Sequence, residues 1–279
     1  EQALQGPRQP GPEHGVDHQV GRRRRRFVGE SFGGLEPLDR ERGQRAPEQR
    51  RIAAPPVGPA QQEHRDREQL VGHRHDACIT IDASYVIIRG LTLKGAGAAE
   101  NTSRKAIGAI RIDGGHDIVI EGCDITDWGR LNPHTGFGFD YEAAILSHST
   151  SLERLIVQRC KLHHPHCNGS AWDAKFRNHT QGPQCISLFN TAGNHVIRYN
   201  ECFSDLEHMY NDVIGGGSNG SFRGSPGPDS DIYGNIVSHC WDDGLEVEGG
   251  SRNVRVWGNY ITQAMMGIGN AAASIGPPL

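Results

Sequence analysis

One short segment recurs along the second part of the chain, and its columns restrict the fold more than any other feature. The copies are "VIIRGLTL" (86–93), "IVIEGCDI" (118–125), "LIVQRCKL" (155–162), "HVIRYNEC" (195–202), "DIYGNIV" (231–237) and "VRVWGNYI" (254–261). Aligned, they place Leu91, Cys123, Cys160, Asn200, Asn235 and Asn259 in one column, and Leu93, Ile125, Leu162, Cys202, Val237 and Ile261 in another two positions on. The first column's members are separated by 32, 37, 40, 35 and 24 residues, so one compact repeat alternates with others that carry inserted loops. Apolar residues alternate with a period of two, which selects strands and excludes helical repeats. No single unit has enough apolar surface to fold alone, so units must stack and share a core. The sequence therefore reads as a β-solenoid of about six to seven coils. Stacked coils bring like residues to about 4.8 Å. Asn200, Asn235 and Asn259 are accordingly expected to form an amide ladder, with Cys123 and Cys160 as buried, reduced fillers of the same column.

Residues 1–76 have a different texture. They contain no Lys, Asn, Thr, Tyr or Trp, are rich in Arg, Gln, Glu, Pro and Gly, and keep no strand or helix period. They are read as disordered, low-complexity or wrongly framed sequence, and the five arginines at 22–26 as a solvated charge run. The domain proper is residues 77–279. With Glu1 first, Met209 the first methionine and "ASIGPPL" ending the chain without an amphipathic cap, the sequence is expected to be a piece truncated at the C-terminus. A formal net charge of −4 lacks the cationic excess that binding to nucleic acid requires. No apolar run reaches the length of a membrane span.

The repeat pattern from Cys78 onward resembles the right-handed parallel β-helix proteins of the pectin-lyase-like superfamily. That resemblance implies an all-β, right-handed parallel β-helix. It also implies a secreted or cell-surface location, a polysaccharide partner, no membrane span and a monomeric state. Its members include polysaccharide hydrolases, polysaccharide lyases and non-catalytic surface proteins, and fold alone does not choose among them.

The candidate site lies in the first strand of each unit. Stacking Ile110, Ile145, Ile186, Val213, Leu245 and Ile268 inward sends Arg111 and Asp113, Ser187 and Phe189, and Glu246 and Glu248 to one outer face. In this register Asn211 and Asp212 lie beside Asp243 and Gly244 of the next coil. Acids gathered on a long face suit acid–base cleavage of a glycan. Glu246 and Glu248 are expected roughly 6.7 Å apart, twice the strand rise. "YND" (210–212) and "WDDGLEVEGG" (241–250) resemble polygalacturonase-type motifs, and the resemblance implies catalytic roles for Asp212, Asp242 and Asp243. Glu246 joins them as a fourth catalytic candidate from its place on the face. The pattern departs from that family, because no Thr separates Asn211 from Asp212 and "MMGIGN" (265–270) has no His.

Glu248, His208, Tyr210, Trp241, Lys175 and Arg177 are the candidate substrate-binding residues. A lyase would instead need a cation to offset the substrate carboxylate. Ca²⁺ held by Asp212, Asp242, Asp243, Glu246 and Glu248 would supply it, with Lys175, Arg177 or Arg223 as base. Two bland readings stand beside these: the glutamates as a solvated strand face, and Asp242 and Asp243 as turn formers before Gly244. A non-catalytic carbohydrate-binding or adhesion β-helix is the competing function. "HHPHC" (163–167) has zinc-ligand residue types without regular ligand separations and reads as a polar loop. "GGGSNGS" (215–221) lacks the Lys and the strand-to-helix context of a phosphate cradle.

Overall fold

The computed structural model describes residues 69–71, 76–97, 105–174, 179–217 and 219–271, all within the unit Gln62–Leu279. Every regular element among them is a strand, and no helix is long and apolar enough to cross a membrane. The strands fall into three rows in which each neighbour is parallel. The first row stacks Ile79–Asp82, Gly108–Gly114, Ala143–Ser147, Gln184–Leu188 and Ile214–Gly215. The second stacks Ile87–Arg89, His116–Glu121, Glu153–Gln158, Val196–Arg198, Asp231–Tyr233 and Arg255–Trp257. The third stacks Gln69–Val71, Thr92–Lys94, Asp124–Thr126, Lys161–His163 and Glu201–Phe203.

Two longer strands, Ile236–Glu246 and Tyr260–Gly269, run from the third row into the first and curl those rows into one twelve-stranded sheet. This all-β arrangement of parallel strands in curled sheets is consistent with a β-solenoid. Burial of one side-chain column per row explains the repeat. Leu93, Ile125, Leu162, Cys202 and Val237 are in mutual register and fully buried, and Ile261 continues the column.

The asparagine ladder is present at the corner between the second and third rows. The backbone N–H and side-chain amide of Asn200 both donate to Asn235 Oδ1 at 3.0 Å. Asn235 repeats this toward Asn259 Oδ1, at 3.0 and 2.9 Å, and its amide also donates to the Ile197 carbonyl. Cys160 N–H caps the ladder by donating to Asn200 Oδ1. No disulfide joins any of the seven cysteines. Removing a rung leaves buried donors and acceptors without partners, at about 1–3 kcal/mol each. Asn235→Ala is therefore expected to lower stability by about 3 kcal/mol in urea unfolding, and a loss below about 0.5 kcal/mol would refute the ladder's role.

The register of the first row differs from strict alternation by one residue. Ile110, Ile145, Ile186, Ile214, Leu245 and Ile268 are the paired column, with Ile214 where Val213 was expected. Strict alternation fails because each coil turns a corner on two consecutive inward residues. Ala109 and Ile110, Ala144 and Ile145, Cys185 and Ile186, and Val213 and Ile214 all belong to one core cluster. The slip places Asp212 beside Asp243, and Asn211 beside Asp242, on neighbouring coils. Backbone bonds fix that placement: Asp242 N–H donates to the Asn211 carbonyl, and Val213 N–H to the Asp243 carbonyl, both at 3.0 Å.

Candidate functional site

The two-residue corner explains why acids gather here. A residue just before the inward pair points outward, as does the residue just after it. On successive coils the first position is held by Gln184, Asp212 and Asp243, and the second by Ser187, Gly215, Glu246 and Gly269. Two glycines make room for the acids. A Cβ on Gly215 would come within 2.6 Å of Glu246 Oε2, and one on Gly269 within 2.0 Å of Asp243 Oδ2.

Asp212, Asp242, Asp243, Glu246 and Glu248 are each 8% exposed or less, so the face they share is covered rather than solvated. Two inserted loops build the surroundings. One, after the third-row strand Asp124–Thr126, is clamped by Arg130 Nε donating to Glu142 Oε1 at 2.7 Å, and it brings Asp140 and Tyr141 to the site. The other, after Lys161–His163, is pinned by the Ser170 and Gln181 backbones, and Gly182 N–H donates to Asp140 Oδ1 at 3.0 Å. It contributes His179 and buried Thr180. Together with Asn211, Asp212, Gly217, Asn219 and Glu246, these residues line a cleft of about 470 Å³.

Within the cluster every acid but Asp243 has a carboxylate oxygen held by a protein donor. Asp212 Oδ2 accepts from Gln184 Nε2 and Asn211 Nδ2, each at 3.0 Å, and its Oδ1 accepts from Asp243 N–H at 3.2 Å. Asp242 Oδ2 lies 3.1 Å from the Thr180 hydroxyl, whose one proton goes either to it or to Asn211 Oδ1, and 3.8 Å from His179 Nε2. Glu246 Oε2 accepts from Gly216 N–H at 2.7 Å, and Glu248 Oε1 from Ala271 N–H at 3.2 Å. Asp243 Oδ1 is the exception, buried with no hydrogen-bond partner.

Burial and mutual repulsion shape the protonation of the cluster. Desolvation, then the Asp212 and Asp242 carboxylates, push Asp243 up to about 8. Asp212 and Glu246 are raised chiefly by desolvation, with Asp242 acting next on Asp212 and Asp212 next on Glu246. Glu248 is raised by desolvation as well. Several of these acids thus keep a proton near neutrality, as an acid that protonates a leaving group requires.

Asp212, Asp242 and Asp243 also offer oxygens within 4.8 Å of one another, an all-oxygen donor set of the kind hard cations such as Ca²⁺ take. Among the described residues this is the group that meets a metal's geometry. Glu246 and Glu248, the other two expected ligands, are outside it.

The remaining substrate-binding candidates are dispersed. Tyr210 is fully buried; it lies parallel to Trp128 with centroids 6.2 Å apart, and its hydroxyl reaches the carbonyls of Phe203 (3.0 Å) and Leu162 (3.2 Å). It turns inward and belongs to the core cluster. His208 hydrogen-bonds Asp205 and packs against His164, outside the cleft lining. Trp241 is half-buried, with its indole N–H unpartnered. Lys175 and Arg177 lie outside the described residues.

Sequence reading missed Asp140, His179, Thr180 and Gln184. The first three sit on inserted loops with no period to reveal them, whereas Gln184 precedes Cys185 and Ile186 as Asp212 precedes Val213 and Ile214, a parallel visible once the paired inward residues are recognised. No known family, curated protein or solved structure matches the chain.

Proposed function

We propose that the chain is a right-handed parallel β-helix of the pectin-lyase-like kind that binds an acidic polysaccharide in this cleft and cleaves its glycosidic bonds. The observation that carries the reading is a covered cluster of acids, of which Asp212 and Glu246 line the cleft, while Asp243, beside Asp212 on the next coil and outside that lining, is proton-bearing near neutrality and has an unpartnered oxygen. In the proposed reaction Asp243 gives its proton to the leaving glycosidic oxygen. Asp242, oriented by Thr180, takes a proton from the water that adds to the anomeric carbon. The bond to the leaving oxygen breaks as the bond to water oxygen forms, and one proton has moved through each carboxyl group. Because raised carboxyls stay neutral, they weaken repulsion of an acidic substrate.

A second reading rests on the three converging oxygens. Ca²⁺ held by Asp212, Asp242 and Asp243 would neutralise a uronate carboxylate and favour elimination over hydrolysis. A non-catalytic binding role, at the cell surface or after secretion, is the third. Incubating the full chain with a panel of uronans and neutral glycans, with and without EDTA, separates them. New reducing ends without unsaturated uronate, unchanged by EDTA, are expected for the proposed hydrolase. Unsaturated products that vanish with EDTA would indicate the lyase. Glycan retention with no product would leave only the binding role.

A further inference from the structure

In strand register, the position held by Val86, Ile118, Leu155 and Val254 turns into the core, and the last three are fully buried. His195 and Ser230 hold the same position in the two coils between Leu155 and Val254, and are buried as deeply. A titratable ring in an apolar column is tolerated only when its hydrogen bonds are met, and such a departure from the pattern points to a role.

The hydrogen count around the His195 ring closes in one way. Thr191 Oγ1 gives its proton to the Pro226 carbonyl at 2.8 Å, so it accepts from His195 Nε2, also at 2.8 Å. Nδ1 then carries no proton, and it accepts from the Leu155 N–H of the coil before at 3.1 Å. The ring is neutral and fully satisfied. A second proton would set a donor at Nδ1 against the Leu155 N–H, and would bury a charge with no carboxylate among its partners. Burial accordingly pulls the ring from its ordinary 6.5 down to about 3. The charged groups on the surrounding strands are engaged elsewhere: Glu153 with Arg154 and Asn194, Arg154 also with Asp117, Arg198 with Gln158 and Tyr233, Asp229 with Asn253, and Asp231 with Arg255. Arg223, on the coil after, donates to the Thr150 carbonyl.

The turn that carries the ring, residues 190–195, also anchors the segment 221–230 of the next coil. Asn190 N–H donates to the Gly224 carbonyl at 3.1 Å, Asn194 N–H to the Pro228 carbonyl at 2.8 Å, and His195 N–H to Ser230 Oγ at 3.0 Å, beside the bond from Thr191 to Pro226. The same segment reaches the acid cluster, because the Ser225 and Glu248 backbones exchange two bonds at 3.2 Å. We propose that His195 is an acid-sensitive latch: on taking up a proton its ring leaves the core, and the turn 190–195 lets go of Leu155 and of the segment 221–230 beside the cleft. The latch does not depend on what the cleft binds. Once hydrated the ring regains its ordinary value, so the closed form is fully favoured above about pH 6.5 and is progressively lost as pH falls toward 3. The opening equilibrium rises about tenfold for each pH unit in that window, or about 100-fold at pH 4.5. The raised acids of the cleft act in the opposite sense, so the test reads individual amides and not overall stability.

Amide hydrogen exchange of the full chain, corrected for intrinsic rates, is compared at about pH 7.5 and about pH 4.5. Protection at Leu155, Asn190 and Asn194 is expected to fall by about 100-fold, while Asn200 and Asn235 in the amide ladder keep theirs. His195→Gln, which cannot be charged, should show the same protection at both values. Nitrogen-15 spectra of the parent should show the His195 ring as the Nε2–H tautomer and neutral at about pH 5, a check that needs no variant. Three parent amides that hold their protection in acid would overturn the proposal, as would a charged His195 ring at about pH 5. So would an equal loss in His195→Gln, or a loss shared by Asn200 and Asn235, which would mark unfolding of the whole chain.

Discussion

Asp243→Asn is expected to lower glycan turnover by about 10²–10⁴-fold, the range set by losing a positioned general acid, while KM changes little. Asp243 stands apart from the other acids by its environment. It is paired in register with Met266, beside Asp212 on the coil before and Gly269 on the coil after, and its Oδ1 has no protein partner. A buried polar atom without a partner is rare and points to a missing ligand atom. The asparagine variant keeps the side chain's size, so folding should persist by circular dichroism. For the parent protein the rate should fall above about pH 8, where Asp243 loses its proton. Glu248→Gln should cost less, because Glu248 lies outside the converging triad and is held by Ala271 N–H. Turnover unchanged in Asp243→Asn would remove Asp243 from the mechanism and leave the cleft as a binding surface.

How much of this was legible in the sequence depends on which residues obey the period. Asn200, Asn235 and Asn259 recur at a fixed point of each coil, so their ladder could be read directly and is found as expected. The acids of 242–248 were visible as an outward set because Leu245 and Val247 mark the inward phase. The error of one residue at Val213 came from applying a period of two across a corner, where Val213 and Ile214 both point inward. Burial of the acids was not legible. It depends on Thr180 and on Gly182 docking to Asp140, contacts between loops that are 42 residues apart in the last case and have no counterpart in the other coils. Tyr210 and His208 show the converse. Adjacency in sequence to Asp212 suggested a shared site, yet Tyr210 packs into the core against Trp128 and Asp205 holds His208.

The same cluster should make the protein less stable as pH rises from about 4 to about 8, the reverse of ordinary acid unfolding. Asp243 has an ordinary value of 3.8 and is raised to about 8 in the fold, and Asp212, Glu246 and Glu248 are raised too. Below the unfolded value both states hold the proton, and the stabilising contribution is fully present. Between the two values the unfolded chain has released its proton while the native state retains it. The unfolded state then binds fewer protons, and unfolding becomes easier with each step in pH. One pKa unit corresponds to about 1.36 kcal/mol, and discounting for solvent screening at the cleft leaves on the order of 3 kcal/mol for Asp243 across this window. Asp117 acts oppositely: its hydrogen bonds to Arg154 and His116 hold it well below the usual carboxylate range, so its contribution is lost only in strong acid. Asp243→Asn should therefore gain stability over the parent at about pH 8, with the gain vanishing near pH 4, as read by urea unfolding at both values. An equal difference at the two pH values would mean that Asp243 is solvated like an ordinary surface acid. A gain in stability together with a loss of turnover would instead mark a residue whose unfavourable burial is retained for chemistry, since functional groups are commonly kept at a cost to the fold.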